Sequence, residues 1–162
     1  MGKITVIRVD AGYPDDNDIF NVMHYACSEK EKDVRVRFWN TRGLPKNITK
    51  AVALLVRTQE FMRKDGGRRI NHTIISFPDS VTDEKLVYAV ADRLADHLGH
   101  EYPLIYGIHE DTNHLHIHFA MNTISRQTGK KWHASKMEFD SWCKDIADLT
   151  NEILADWGIY LQ

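Results

Sequence analysis

Four of the nine histidines fall within ten residues, in the run His109-Glu-Asp111-Thr-Asn-His114-Leu-His116-Ile-His118-Phe-Ala-Met-Asn122. Read as a strand over Leu115 to Asn122, period two sends Leu115, Ile117, Phe119 and Met121 to one face. His114, His116, His118 and Asn122 then take the other. The apolar set belongs in a core, so the histidines face a surface or a cleft. In the preceding strand, Leu104 to His109, the residues Ile105, Gly107 and His109 share a face. A hairpin between the two strands brings His109 beside His116 and His118. Three imidazoles meeting from adjacent strands form a facial set that binds a divalent cation and leaves coordination positions open for substrate or water. A solvated polar face tolerates a stray histidine, but three at strict alternation exceed that pattern.

Two other features carry chemistry. Tyr25 follows Ile19, Val22 and Met23 on a helical stripe shared with Ala26 and Cys27. At ~100° per residue it lies about 240° from Ile19, off the centre of the apolar stripe and outside the core. Arg35, Arg37 and Trp39 alternate with Val34, Val36 and Phe38, which predicts a strand with one apolar face and one cationic–aromatic face. Such a face suits single-stranded nucleic acid, the cations meeting phosphates and the indole stacking on a base. The charge distribution agrees. Residues 30–72 hold twelve Lys and Arg against four Asp and Glu, although the whole chain has a net charge of −2. Lys46, Lys50, Arg68 and Arg69 are further candidates for phosphate contacts.

These residues need a scaffold. The chain has 162 residues, 43% apolar and 27% charged, as expected for one globular domain over 1–162. No apolar run approaches the ~20 residues of a membrane span, and the first residues carry no signal-peptide pattern. Cys27 and Cys143 sit in helix-periodic apolar patterns and read as small core residues in a reducing compartment. Strands are expected at Ile4–Val9, Val34–Trp39, Ile70–Phe77, Leu104–His109 and Leu115–Asn122. The last two are joined by a turn containing Asp111. Helices are expected from Asp18, from about Ile48 to Lys64 before Gly66-Gly67, and from about Thr82 to Leu98 with Gly99 as the stop. A last one opens at the capping box Ser135–Glu138 and ends at Gly158. The order predicts an α/β (α+β) sandwich with a mostly antiparallel five-stranded sheet and helices packed on it.

The histidine run resembles the third motif of the relaxase/mobilisation nucleases, the HUH-type enzymes that nick plasmid transfer origins. Asn21-Val-Met-His-Tyr25-Ala-Cys-Ser-Glu-Lys30 is similar to their N-terminal tyrosine motif, and His72-Thr-Ile-Ile-Ser76-Phe77-Pro78 to the middle one. Thr128-Gly-Lys-Lys-Trp-His133 before a helix also fits. The resemblance covers nearly the whole chain and is closest to the P-type mobilisation relaxases. It implies an HUH-endonuclease palm of RRM-like form. It further implies a metal-dependent, strand- and site-specific DNA transesterase that nicks and rejoins the transfer origin through a 5′-phosphotyrosyl intermediate. In that reading Tyr25 is the nucleophile, and His109, His116 and His118 are the metal ligands, with His114 a neighbour. Asp111 orients an imidazole or takes the tyrosine proton, while Ser76 and Asn122 contact DNA, Asn122 with a structural role as the alternative. The metal is manganese or magnesium by family habit, whereas three imidazoles suit manganese, zinc, nickel or cobalt by softness.

The implied partners are single-stranded transfer-origin DNA, accessory relaxosome proteins and the coupling protein of a type IV secretion system. There is no membrane insertion. The implied location is the bacterial cytoplasm, with export of the DNA-linked form to a recipient, and the chain reads as the catalytic domain of a longer relaxase. Three alternatives share parts of the pattern. A rolling-circle initiator uses the same chemistry but places its tyrosine after the histidines. A histidine-metal phosphoesterase or oxygenase would not need Tyr25, and neither would a single-strand-binding module that does no chemistry.

Overall fold

A computed structural model describes residues 2–27, 34–111 and 114–161, the side chains of 34–37 and 111 excepted. In chain order the elements are β1 (Thr5–Arg8), α1 (Asp16–Cys27), β2 (Val34–Arg42), α2 (Ile48–Phe61) and β3 (Ile70–Ser76). They continue with α3 (Glu84–Gly99), β4 (Leu104–Asp111), β5 (His114–Asn122) and α4 (Lys136–Asp156). The strands form one sheet in the order β1-β3-β5-β4-β2, every pairing antiparallel. Among the described residues no helix is long and apolar enough to cross a membrane.

The alternation of β4 and β5 sorts the molecule into three layers. Leu104, Tyr106, Ile108, Leu115, Ile117 and Phe119 pack under α3 and α4 in the larger core. On the opposite face Ile70, Ile105 and Ala120 pack under Ile19, Val22, Met23, Ala26 and Cys27 of α1 and Ala51 and Leu55 of α2. The α1 stripe is thus the buried one, and burial pushes the Cys27 thiol up to about 11, as befits a core residue. Cys143 is half-buried and also unpaired.

Several boundaries differ from expectation for local reasons. Helix α1 begins at Asp16, two residues early, because Asp15 and Asp18 cap each other. Each backbone N–H donates to the other's carboxylate at 3.1 Å. Helix α2 stops at Phe61, short of Lys64. Arg63 adopts φ 56°, and the N–H groups of Arg63 and Lys64 return to the carbonyls of Glu60 and Gln59. A non-glycine residue therefore ends the helix before Gly66-Gly67. Gly99 is the last residue of α3 rather than a left-handed stop. A Cβ there would stand 2.6 Å from Cβ of Arg42, so this glycine serves the packing of α3 on β2. Ser135 and Glu138 form the expected capping box of α4.

Two features seat α1 and α2. Gly107 of β4 lies directly beneath the last turn of α1, and a Cβ at Gly107 would run into the Ala26 carbonyl oxygen. At the other end a buried polar chain ties both helices to the sheet. Arg69 donates to Asp16 (2.8 Å) and to Gln59 Oε1 (2.6 Å). The Gln59 amide donates to the Arg69 carbonyl (2.8 Å) and to Asn122 Oδ1 (3.0 Å). Asn122 also accepts from the Ile124 N–H at 3.3 Å. At 4% exposure its side chain is engaged inside the fold, as the structural one of its two expected roles requires.

Both features predict measurable losses. Gly107→Ala should lower unfolding free energy in urea titration by about 3 kcal/mol, because backbone rather than a movable side chain stands in the way. Gly12→Ala, with no atom within 4 Å of the added carbon, should change little. Asn122→Ala leaves the buried Gln59 amide short of an acceptor and should cost about 1–3 kcal/mol, with affinity for single-stranded DNA per folded molecule unchanged. Lost affinity at unchanged stability would return Asn122 to the DNA surface.

Candidate active site

The ladder brings the expected residues to one patch of the α1 side of the sheet. His109 stands opposite His116, and Gly107 opposite His118. Across the other edge of β5, Ser76 stands opposite His116 and Ile74 opposite His118. The His109 and His118 rings stack with centroids 4.0 Å apart, and His116 lies 6.2 Å from His118. Tyr25, in the last turn of α1, places its ring 5.1 Å from His109 and 5.2 Å from His118. Residues 84 positions apart in the chain are therefore neighbours because α1 ends on Gly107.

A fourth imidazole belongs to the group. His72 of β3 lies 6.0 Å from the Tyr25 ring, and its Nε2 is 2.9 Å from His118 Nδ1. Sequence reasoning assigned Ser76 from this strand and passed over His72, although the two share a face at period two. That shared parity was the available signal.

Burial governs the electrostatics. It holds the His118 imidazole far below its ordinary range, with further lowering from His109, His72 and His116. His72 is pushed down to about 4 by burial and then by His109. Both rings are neutral at neutral pH and keep a lone pair. The tautomer of His109 follows from its partner. Its Nε2 lies 3.0 Å from the Ala26 carbonyl oxygen, which only accepts, so Nε2 carries the proton and Nδ1 the lone pair.

The remaining candidates divide. Ser76 is half-buried beside His116. His114 turns away, its Nδ1 2.9 Å from an Asp79 carboxylate oxygen. Asp111 is the last rung of β4, opposite His114, rather than part of a turn; its side chain lies outside the described residues. So do the side chains of Arg35 and Arg37, but the backbone corrects their common face with Trp39. The register slips between Val36 and Phe38, pairing Arg35 with Glu110 and Trp39 with Gly107. A β-bulge at Arg37 thus breaks the alternation, and Arg35 and Trp39 occupy rungs of opposite parity. Trp39 is half-buried against the α1–α2 core, with Lys46 Nζ 5.0 Å above its ring. Arg69 is buried on Asp16, and Arg68 donates to the Ala11 carbonyl. Lys64 donates to the Gly129 carbonyl at 2.5 Å. Much of the basic segment is therefore engaged within the fold.

Among the described residues no three His, Cys, Asp or Glu side chains already stand in ligating geometry. The donor set itself suits a divalent cation. His109, His116 and His118 supply imidazoles from one face of neighbouring strands, and the His109 tautomer places that ring's lone pair on Nδ1.

Comparison with known proteins gives the family and the fold. Residues 25–158 match the relaxase family described as MobA/VirD2-like, nuclease domain. The chain is 26% identical over 146 residues, 88% of its length, to Protein TraI of Escherichia coli, of which it spans 19%. The fold is that of a protein solved for the molecular basis of vancomycin resistance transfer in Staphylococcus aureus. That match has a TM-score of 0.66 at 14% identity, over 99% of this chain and 97% of the other. It is also the fold of the conjugative relaxase TrwC in complex with OriT DNA. There the TM-score is 0.56 at 16% identity, over 93% and 67% of the two chains. With the family matched over most of its length and the tyrosine and histidines gathered on one sheet face, the chain belongs to the MobA/VirD2-like relaxases as their nuclease domain.

Proposed function

We propose that this domain cuts and rejoins one DNA strand at a transfer origin, with Tyr25 as the nucleophile. The observation that carries the reading is the Tyr25 ring held 5.1–6.0 Å from three buried imidazoles on one sheet face. The Tyr25 oxygen attacks a phosphodiester in line, a tyrosyl O–P bond forms and the bond to the 3′ oxygen breaks. The products are 5′-phosphotyrosyl DNA and a free 3′-hydroxyl. The phenolic proton passes to Asp111 or to a neutral imidazole beside the ring, and the leaving oxygen gains a proton. One phosphodiester replaces another, so the step needs no nucleotide energy source and runs backwards to reseal the strand.

A phenol at its ordinary pKa of about 10 is a weak nucleophile, so the site must favour the transition state electrostatically. A divalent cation held by His109, His116 and His118, manganese or magnesium with zinc, nickel or cobalt as softer fits, would supply charge against the phosphate oxygens. The protein's own contribution is position. Helix α1 holds the phenol over the patch, burial keeps His118 and His72 neutral, and Ser76 lies on the adjoining rung for the DNA backbone. The substrate in this reading is single-stranded transfer-origin DNA; the relaxase TrwC of the same fold was solved with OriT DNA. Relaxosome proteins and a secretion coupling protein are the partners, and the work begins in the bacterial cytoplasm.

Two experiments test the reading. With a labelled single strand carrying the cognate nick site, Tyr25→Phe should abolish the covalent protein–DNA adduct while leaving affinity nearly intact. An adduct that persists moves the nucleophile elsewhere, first to Tyr13. In calorimetric titration with Mn²⁺, His109→Ala, His116→Ala and His118→Ala should each weaken binding severely. His114→Ala, engaged with Asp79 instead, should change it little. Comparable losses at His114 and His109 would reject this ligand set.

A further inference from the structure

We propose that His72 is a positioning residue. Its Nε2 accepts a hydrogen bond from the protonated Nδ1 of His118 and so fixes His118 in the tautomer whose Nε2 carries the lone pair. The contact is 2.9 Å long and joins two rings that are 7% and 5% exposed, so water cannot take the place of either partner. One nitrogen must donate and the other accept, which leaves two arrangements. If His72 donated, His118 would hold its proton on Nε2 and could not ligate through that atom. The reading above requires His118 as a ligand, and this inference rests on it.

The sheet explains why an imidazole two rungs away makes the contact. The residue directly across from His118 on β3 is Ile74, which offers no polar atom. His72 stands opposite Ala120, whose methyl leaves the neighbouring volume free, and the His72 ring leans along the diagonal to His118. A histidine ligand usually gives its second nitrogen to a carboxylate or a carbonyl. Here the acceptor is a neutral ring, which orients His118 without adding a negative charge beside a cation that must attract phosphate.

The test begins on the metal-free protein. Long-range proton–nitrogen correlation spectra of ¹⁵N-histidine-labelled protein should show the His118 proton on Nδ1. His72→Phe keeps the ring volume and removes the acceptor, so the proton should move to Nε2 and Mn²⁺ affinity should fall by about 10- to 100-fold. His72→Gln, which restores an accepting oxygen, should recover most of both. A wild-type His118 protonated on Nε2 would overturn the proposal, as would unchanged Mn²⁺ affinity in a folded His72→Phe protein. If His72→Phe does not fold, the wild-type spectrum and His72→Gln decide. Failure of the nicking reading is separate: it would appear as an adduct retained by Tyr25→Phe, which the tautomer measurement does not touch.

Discussion

The seat of the last turn of α1 on β4 governs the geometry of the site. Gly107 has no side chain, so the backbone of α1 comes down to the sheet, and the Ala26 carbonyl accepts a hydrogen bond from His109 Nε2 at 3.0 Å. Tyr25 is the next residue back along the helix, so its ring position is set by the same contact. That one bond also assigns the tautomer of His109. A helix displaced by one turn, about 5.4 Å, would lose all three relations at once. The polar chain from Asp16 through Arg69 and Gln59 to Asn122 holds the far end of this layer, so α1 is anchored at both ends.

The two polar systems on this face are built on opposite principles. The Asp16–Arg69–Gln59–Asn122 chain is satisfied pair by pair and includes an ion pair with one exposed carboxylate, as a structural network must be. In the histidine patch burial disfavours the imidazolium forms of His118 and His72, which keeps lone pairs there for a charge brought from outside. The final asparagine of the histidine run belongs to the first system. It lies on the same strand and the same face as His116 and His118, but α2 covers it.

Legibility from the sequence followed the physics of each element. Strand β5 was readable because one face is wholly apolar and the other mostly polar, so the alternation is strict although both faces are largely covered, and β4 shared its parity through a local hairpin. Helix α1 was readable from its stripe, and α4 from its cap. His72 was harder, since its tie to His118 needs β3 beside β5, a pairing with α3 and β4 intervening in the chain. The parity of β3 was visible, but its neighbour was not. The burial of Asn122 depended likewise on Gln59, 63 residues away. In β2 the alternation of cationic and apolar residues was real in the sequence, yet one inserted residue reversed its meaning. No local composition announces a bulge of that kind.

Among the described residues that bulge lies in a strand with one side unpaired. In the order β1-β3-β5-β4-β2 the sheet has two open margins among the described residues. A flat nine-residue strand such as β2 would offer its free amides and carbonyls to a strand of any passing molecule. The irregularity between Val36 and Phe38 twists and interrupts that template, and β1 limits the other margin by being only four residues long. The two ends of the sheet are thus blunted by different means, one by irregularity and one by brevity. Both guard a wholly antiparallel sheet against growing by the addition of foreign strands.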